Sequence, residues 1–269
     1  MIKADYYLLE NLNKVLKYGM TDINPRPKYK DGTPAHTKFI TQVFETYDIS
    51  KGEFPIPTLR NTAIKTGVAE IIWIYVLQSN KLEDAHKLGI DWWDEWDVGD
   101  QTIGNRYGYT VKKHDLIGKL LRGLESDPYG RRHIMNLYQE EDLNSGPGLF
   151  PCCFETLWSF DGRLNLHLNI RSNDYLVAGA INRIQYVALL LMVCGHLGYY
   201  PGTFSVFTNN LHIYDRHIEA ANEILRRQPQ NIQPKIEIPA KNFLDYSVSD
   251  VKITDNVGQK LNSTLELGI

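Results

Sequence analysis

Apolar positions recur along the chain with periods that predict its elements. Leu8, Leu9, Leu12, Val15 and Leu16 stand at helical intervals, and YGMTD ends that helix. A polar loop rich in turn residues follows, NPRPKYKDGTP at 24–34, and then KFITQVFETYDIS reads as a strand. KTGVAEIIWIYVLQSN predicts a second, strongly apolar helix broken at Ser79-Asn80. Beyond an aromatic and acidic loop at 89–109, HDLIGKLLRGLESDP predicts an amphipathic helix and RRHIMNLY a strand. Further on come a helix around VALLLMVCGHLGYY, a strand at GTFSVFTNNLHIY and a helix, DRHIEAANEILRRQP, stopped by Pro229. The tail mixes strand and loop. Interleaved helices and strands with hairpins, and no repeats or linker, predict one α+β domain over residues 1–269.

The most informative pattern is a hairpin. Asp161-Gly162 is a two-residue turn signal between alternating segments. In the return strand Leu164, Leu166, Leu168 and Ile170 alternate with Arg163, Asn165, His167 and Asn169. A tight turn there predicts Trp158 opposite Asn165, Thr156 opposite His167 and Cys152 opposite Arg171. Cys153 then falls on the other face with Glu155, Leu157 and Ser159, toward the apolar row. Cys153 is thereby expected to be a small buried hydrophobe. Cys152, across from a guanidinium, is the candidate reactive thiol.

Composition sets limits on the class. The 269 residues carry a net charge of −3 with 43% hydrophobic content, enough for a sizeable core and without an electrostatic case for nucleic acid. Three cysteines form a sparse, odd set, which points to free thiols in a reducing compartment. The N-terminus looks like an amphipathic helix, not a targeting segment. The most apolar run, YVALLLMVC, is shorter than the ~20 residues of a membrane span. A cytoplasmic location is expected.

Other residues stand out by context. Glu70 lies inside GVAEIIWIYVL, where burial would raise its pKa and suit it to proton transfer, or where it simply forms a polar notch. Trp92, Trp93 and Trp96 crowd one loop; such faces stack on flat ligands, or pack a domain edge. Arg131, Arg132 and Arg171 match phosphate oxygens, although strand neighbours such as Arg131 and Arg132 would diverge to opposite faces. His212 and His217 are five apart without a third ligand, so no metal site is expected.

Taken in order, DGTPAHT, AEIIWIYVLQSN, WWDEW, TIGNRYG, DPYGRRHIMNLY, FPCCFETLWSFDGRLNLHLNIRSND, INRIQYVALLLM and LHIYDRHIEAANEILRRQP span nearly the whole chain. Together they resemble the thymidylate synthase family, and DGTPAHT and ETLWSF look like its divergent branch in some bacilli and their phages. The resemblance implies a large mixed sheet packed against helices, and a homodimer through sheet-face packing. It implies methylation of dUMP to dTMP, with 5,10-methylenetetrahydrofolate as cosubstrate. Cys152 would add to C6 of the uracil, Glu70 would move protons near O4, and Tyr107 would serve C5 proton removal. Arg171 and Ser172 would hold the phosphate, joined by Arg131 and Arg132 from the partner subunit and by Arg26. His212 and Tyr214 would bind the sugar 3′-hydroxyl. Trp93, Trp96, Leu149, Asp174 and the terminal Ile269 would form or close the folate site. Asn182 would select uracil, since its amide matches N3–H and O4.

The chain departs from the family pattern in three places. VAGAIN (177–182) stands where Leu-Gly-x-Pro-Phe-Asn is usual, Asn210 replaces an aspartate, and the Arg-Thr-Gly-Thr-Gly phosphate loop is missing. The alternatives are therefore a dUMP hydroxymethylase, in which water replaces hydride, and a non-catalytic nucleotide- or RNA-binding relative. Trp93, Leu149 and Ile269, which exclude water, favour the synthase.

Overall fold

The computed structural model describes residues 1–269. The N-terminal half runs α1 (Lys3–Tyr18), β1 (Met20–Thr21), β2 (Thr37–Asp48), α2 (Ile64–Ile71), α3 (Leu82–Lys87), α4 (Gly108–Lys113) and α5 (Leu116–Ser126). Then come β3 (Ile134–Asn136), α6 (Glu140–Asn144), β4 (Cys153–Phe160), β5 (Leu164–Ile170) and β6 (Asn173–Asp174). The chain ends with α7 (Ala180–Leu197), β7 (Pro201–Tyr214), α8 (Ile218–Arg226), β8 (Lys235–Glu237) and β9 (Lys252–Thr254). A seven-stranded mixed sheet runs β1-β2-β7-β5-β4-β3, with β6 beside β7. The β7 strand pairs antiparallel with β2 and parallel with β5 and β6. This is the expected α+β architecture.

One sheet face is core. Leu164, Leu166, Leu168 and Ile170 of β5, with Phe204 and Val206 of β7, are all fully buried against α2 and α7. The α7 helix is apolar on nearly every side, as a helix enclosed by its own fold must be. With the π-turn at Tyr175–Gly179 it makes a 23-residue apolar stretch, longer than the run read from sequence; 67% of its most apolar window is inside the fold. VAGAIN is thus helical throughout. The other sheet face is open: Phe44, Ile134 and Leu157 are exposed on it, and Phe44 stacks on His167 at 6.1 Å.

The β4–β5 hairpin corrects the predicted register. Phe160 pairs with Leu164, so the turn holds three residues, Asp161, Gly162 and Arg163, with Gly162 at φ +99°. Trp158 therefore faces Leu166 and Thr156 faces Leu168, one residue away from the expected pairing. The faces invert accordingly. Thr156 and Trp158 are buried, and Leu157 and Ser159 are exposed. Burying the indole outweighs burying a leucine, and its Nε1 donates to Thr156 Oγ1 at 3.0 Å. Register then shifts back at an irregularity between Cys153 and Glu155, where Phe154 occupies the extra place. Cys153 pairs with Ile170, and Arg171 N–H donates to the Cys152 carbonyl at 3.0 Å. Cys152 lies opposite Arg171 because two one-residue shifts cancel.

Candidate active site

Cys152 sits just before β4, with its Sγ 3.7 Å from Arg171 Nη2. The guanidinium is itself held by the carbonyls of Pro151 (Nε, 2.9 Å) and Phe150 (Nη2, 2.5 Å), so its charge is fixed at the sulfur. Burial raises the Cys152 thiol above its ordinary value, and Arg171 opposes that shift. The unliganded protein therefore holds mainly a thiol at neutral pH. Iodoacetamide alkylation of Cys152 is expected to accelerate as pH rises beyond the ordinary thiol range. Arg171→Leu should move that profile further upward; an unmoved or lowered profile would show that Arg171 does not favour the thiolate.

Glu70 ends α2 on a buried face. Its carboxylate accepts from Trp92 Nε1 at 2.6 Å, and burial raises its pKa against the pull of Trp93, Trp92 and Gln185. Trp93 Nε1 and Gln185 Nε2 favour the ionised form by proximity, yet neither makes a hydrogen bond of normal geometry. Trp92 is the indole that grips Glu70. Its place in WWDEW was visible, but its pairing with Glu70 was not. Trp93 is buried among Trp73 (6.0 Å), Trp96 (5.4 Å) and Tyr107 (5.1 Å), and Trp96 is only half-buried. Leu149 packs beside the main core.

Tyr107 has φ +49°, a conformation few side chains adopt, and precedes Gly108, where a Cβ would meet Ser79 O at 2.0 Å. That sharp turn delivers the phenol to Cys152, whose N–H donates to Tyr107 Oη at 3.2 Å. Burial, the largest cause, keeps the phenol protonated.

Asn182 lies in the first turn of α7. Its Oδ1 accepts from Asn173 Nδ2 at 3.0 Å and its Nδ2 donates to Gln185 Oε1 at 3.0 Å. Asp174 Oδ1 caps the following turn at Val177 N, and its buried Oδ2 has no partner. Burial pushes the Asp174 pKa up to about 7. Ser172 is half-buried between Arg171 and Asn173.

On β7, His212 Nδ1 shares a hydrogen bond with Asn210 Oδ1 at 2.9 Å, and burial draws its pKa down to about 4, so the ring is neutral at pH 7. Tyr214 packs edge-on to His212 at 5.6 Å. Its phenol is pushed up to about 12, first by burial and then by Asp174, so Asp174, Arg26 and Cys152 lie within electrostatic range of it. Arg26 is exposed. Ile269 closes beside it, exchanging backbone hydrogen bonds with Lys28 at 2.9 and 2.8 Å. Arg216 clasps this closure, with Asp31 at 2.6 Å, Glu266 at 2.7 Å and the Tyr29 ring at 3.9 Å.

Arg131 and Arg132 stay apart from this group of residues. Both are exposed, just before β3 and not within it, so strand alternation does not separate them. Arg131 lines a depression with Tyr129, Ser159 and His167 at the turn end of the hairpin. Cys152 is at the opposite end of β4, roughly 23 Å away at ~3.3 Å per strand residue. Sequence reading also missed Glu45, Asn173, Arg183 and Gln185, a buried polar chain behind Asn182. Its one sequence signal was the polar Asn182, Arg183 and Gln185 at the head of an otherwise apolar helix.

Comparison with known proteins bears on this geometry. A family model described as thymidylate synthase matches residues 6–262. A thymidylate synthase of Streptococcus pneumoniae (strain 70585) is 47% identical over 265 residues, covering 95% of each chain. One of Streptococcus gordonii is 46% identical with the same coverage. Among solved structures, the thermostable thymidylate synthase A of Bacillus subtilis superposes with a TM-score of 0.92 at 29% identity, covering 99% of both chains. With most of its length matched at this level, the chain belongs to the thymidylate synthase family.

Proposed function

We propose that this protein converts dUMP to dTMP with 5,10-methylenetetrahydrofolate, using Cys152 as its nucleophile. The observation that carries the reading is the fixed guanidinium of Arg171 at 3.7 Å from Cys152 Sγ, on a backbone also held by Tyr107. As sulfur bonds to C6 of the uracil, electrons move to C5 and O4. Glu70, protonated more readily than an ordinary carboxyl, stands ready to supply or take a proton at O4. Tyr107, between Cys152 and Glu70, relays the proton released from C5. Arg171 and Arg26 suit the phosphate, His212 and Tyr214 the sugar hydroxyl, and Asn182 the N3–H and O4 edge. The folate supplies the one-carbon unit and the hydride. The buried, unpartnered Asp174 Oδ2 fits a pterin N–H donor, Trp96 and Leu149 offer apolar surface, and Ile269 shuts out water.

The open sheet face supports a homodimer. Phe44, Ile134 and Leu157 would be covered there, and Arg131 and Arg132 would reach the partner's phosphate site. The three unpaired cysteines suit a reducing cytoplasm. Incubation with dUMP and methylenetetrahydrofolate should yield dTMP by mass together with dihydrofolate absorbance. Hydroxymethyl-dUMP without dihydrofolate would overturn the methyl-transfer reading, which the similarity to named synthases already favours. Mixing Cys152→Ser subunits with Arg131→Ala/Arg132→Ala subunits should restore about a quarter of wild-type activity, since random re-pairing leaves one intact site in half the dimers. No recovery despite subunit exchange would refute the shared site.

A further inference from the structure

Three amides stand in series between a guanidinium that can only donate and the Glu70 carboxyl. The donor is Arg183, 2% exposed, whose Nε and Nη2 are fixed by Glu45 at 2.7 and 2.6 Å. Its Nη1 reaches Asn173 Oδ1 at 3.1 Å. A guanidinium never accepts a hydrogen bond, so Asn173 must turn its oxygen inward and its NH2 toward Asn182. Asn182 answers with Oδ1 at 3.0 Å, which leaves its Nδ2 for Gln185 Oε1 at 3.0 Å. Gln185 Nε2 is then left, buried and unpartnered, where it favours the Glu70 carboxylate. Reversing the amides would set NH2 against guanidinium at one end and carbonyl against carboxylate at the other. The buried contact with the guanidinium, which never accepts, would be strongly unfavourable whatever the protonation of Glu70.

We propose that Arg183, anchored by Glu45, acts through Asn173 to hold the Asn182 amide in one orientation, making Arg183 and Asn173 positioning residues that set preference for uracil over cytosine. The inference rests on Asn182 reading the base edge, as proposed above. Asn182 keeps one Oδ1 lone pair and one N–H free. Uracil presents N3–H and O4; cytosine presents N3 and N4–H2, the same edge with donor and acceptor exchanged. An amide free to flip would serve either base. An amide held from behind serves one.

The test measures dissociation constants of dUMP and dCMP for the full-length enzyme and variants. Asn173→Asp keeps an acceptor for Arg183 but also presents an acceptor to Asn182, which must then turn its NH2 inward. The ratio of dUMP to dCMP affinity should fall at least about tenfold, the effect of one mismatched buried hydrogen bond. Asn173→Ala removes the restraint without reversing it, and the ratio should fall a few-fold. A merely structural role would weaken both nucleotides alike and leave the ratio unchanged, which overturns the proposal. If Asn173→Asp does not fold, the Asn173→Ala ratio decides. Asn182→Asp is the control. A ratio unmoved there shows that Asn182 does not read the base, whereas a ratio moved there and unmoved at position 173 defeats the orientation lock alone.

Discussion

Cys152→Ser is expected to lower dTMP formation by about 10³-fold or more while dUMP binding survives. A serine hydroxyl ionises far less readily than a thiol, and no base adjoins this sulfur strongly enough to compensate. Arg171 would still hold its place, because the carbonyls of Phe150 and Pro151 fix it independently of the sulfur. The adjacent Cys153→Ala should keep turnover and cost about 1 kcal/mol. Cys153 is 5% exposed, and burial pushes its thiol far up, so it offers no thiolate. Turnover assays and equilibrium dUMP binding on the two variants check the pair. An active Cys152→Ser enzyme, or a dead but folded Cys153→Ala enzyme, would remove Cys152 from the chemistry.

Glu45→Ala is expected to be the most destabilising single change, at about 3–5 kcal/mol. Glu45 is 1% exposed and accepts from Arg183 twice, from Asn11 Nδ2 at 3.0 Å and from Tyr47 Oη at 2.9 Å. Its removal strands a guanidinium inside the fold beside two further donors, Asn11 and Tyr47, that had shared its oxygens. Replacing Glu45 and Arg183 together by apolar residues should cost much less than the single change, since no charge is then left alone. Urea denaturation of the single and double variants measures both. A loss under about 1 kcal/mol for Glu45→Ala would mean that water reaches the pair and screens it.

Much of this protein was determined locally. The helical periods of α1 and α5, the alternation in β5 and the apolar α7 appear because burial selects side chains at intervals set by backbone geometry. The order of motifs from DGTPAHT to LHIYDRH was enough to identify the family, since each motif couples rare residues at close range. Tertiary structure decided what depends on distant partners. The hairpin register followed from a three-residue turn and a bulge at Phe154, whose cancelling shifts no alternation pattern records. The grip of Trp92 on Glu70 joins residues 22 apart, and the ion pair behind Asn182 joins Glu45 to Arg183 across 138. Residue spacing carries information about one element's own faces. Which polar group meets which inside the core is set only when separate elements pack, because a buried donor must find its acceptor wherever the fold brings one.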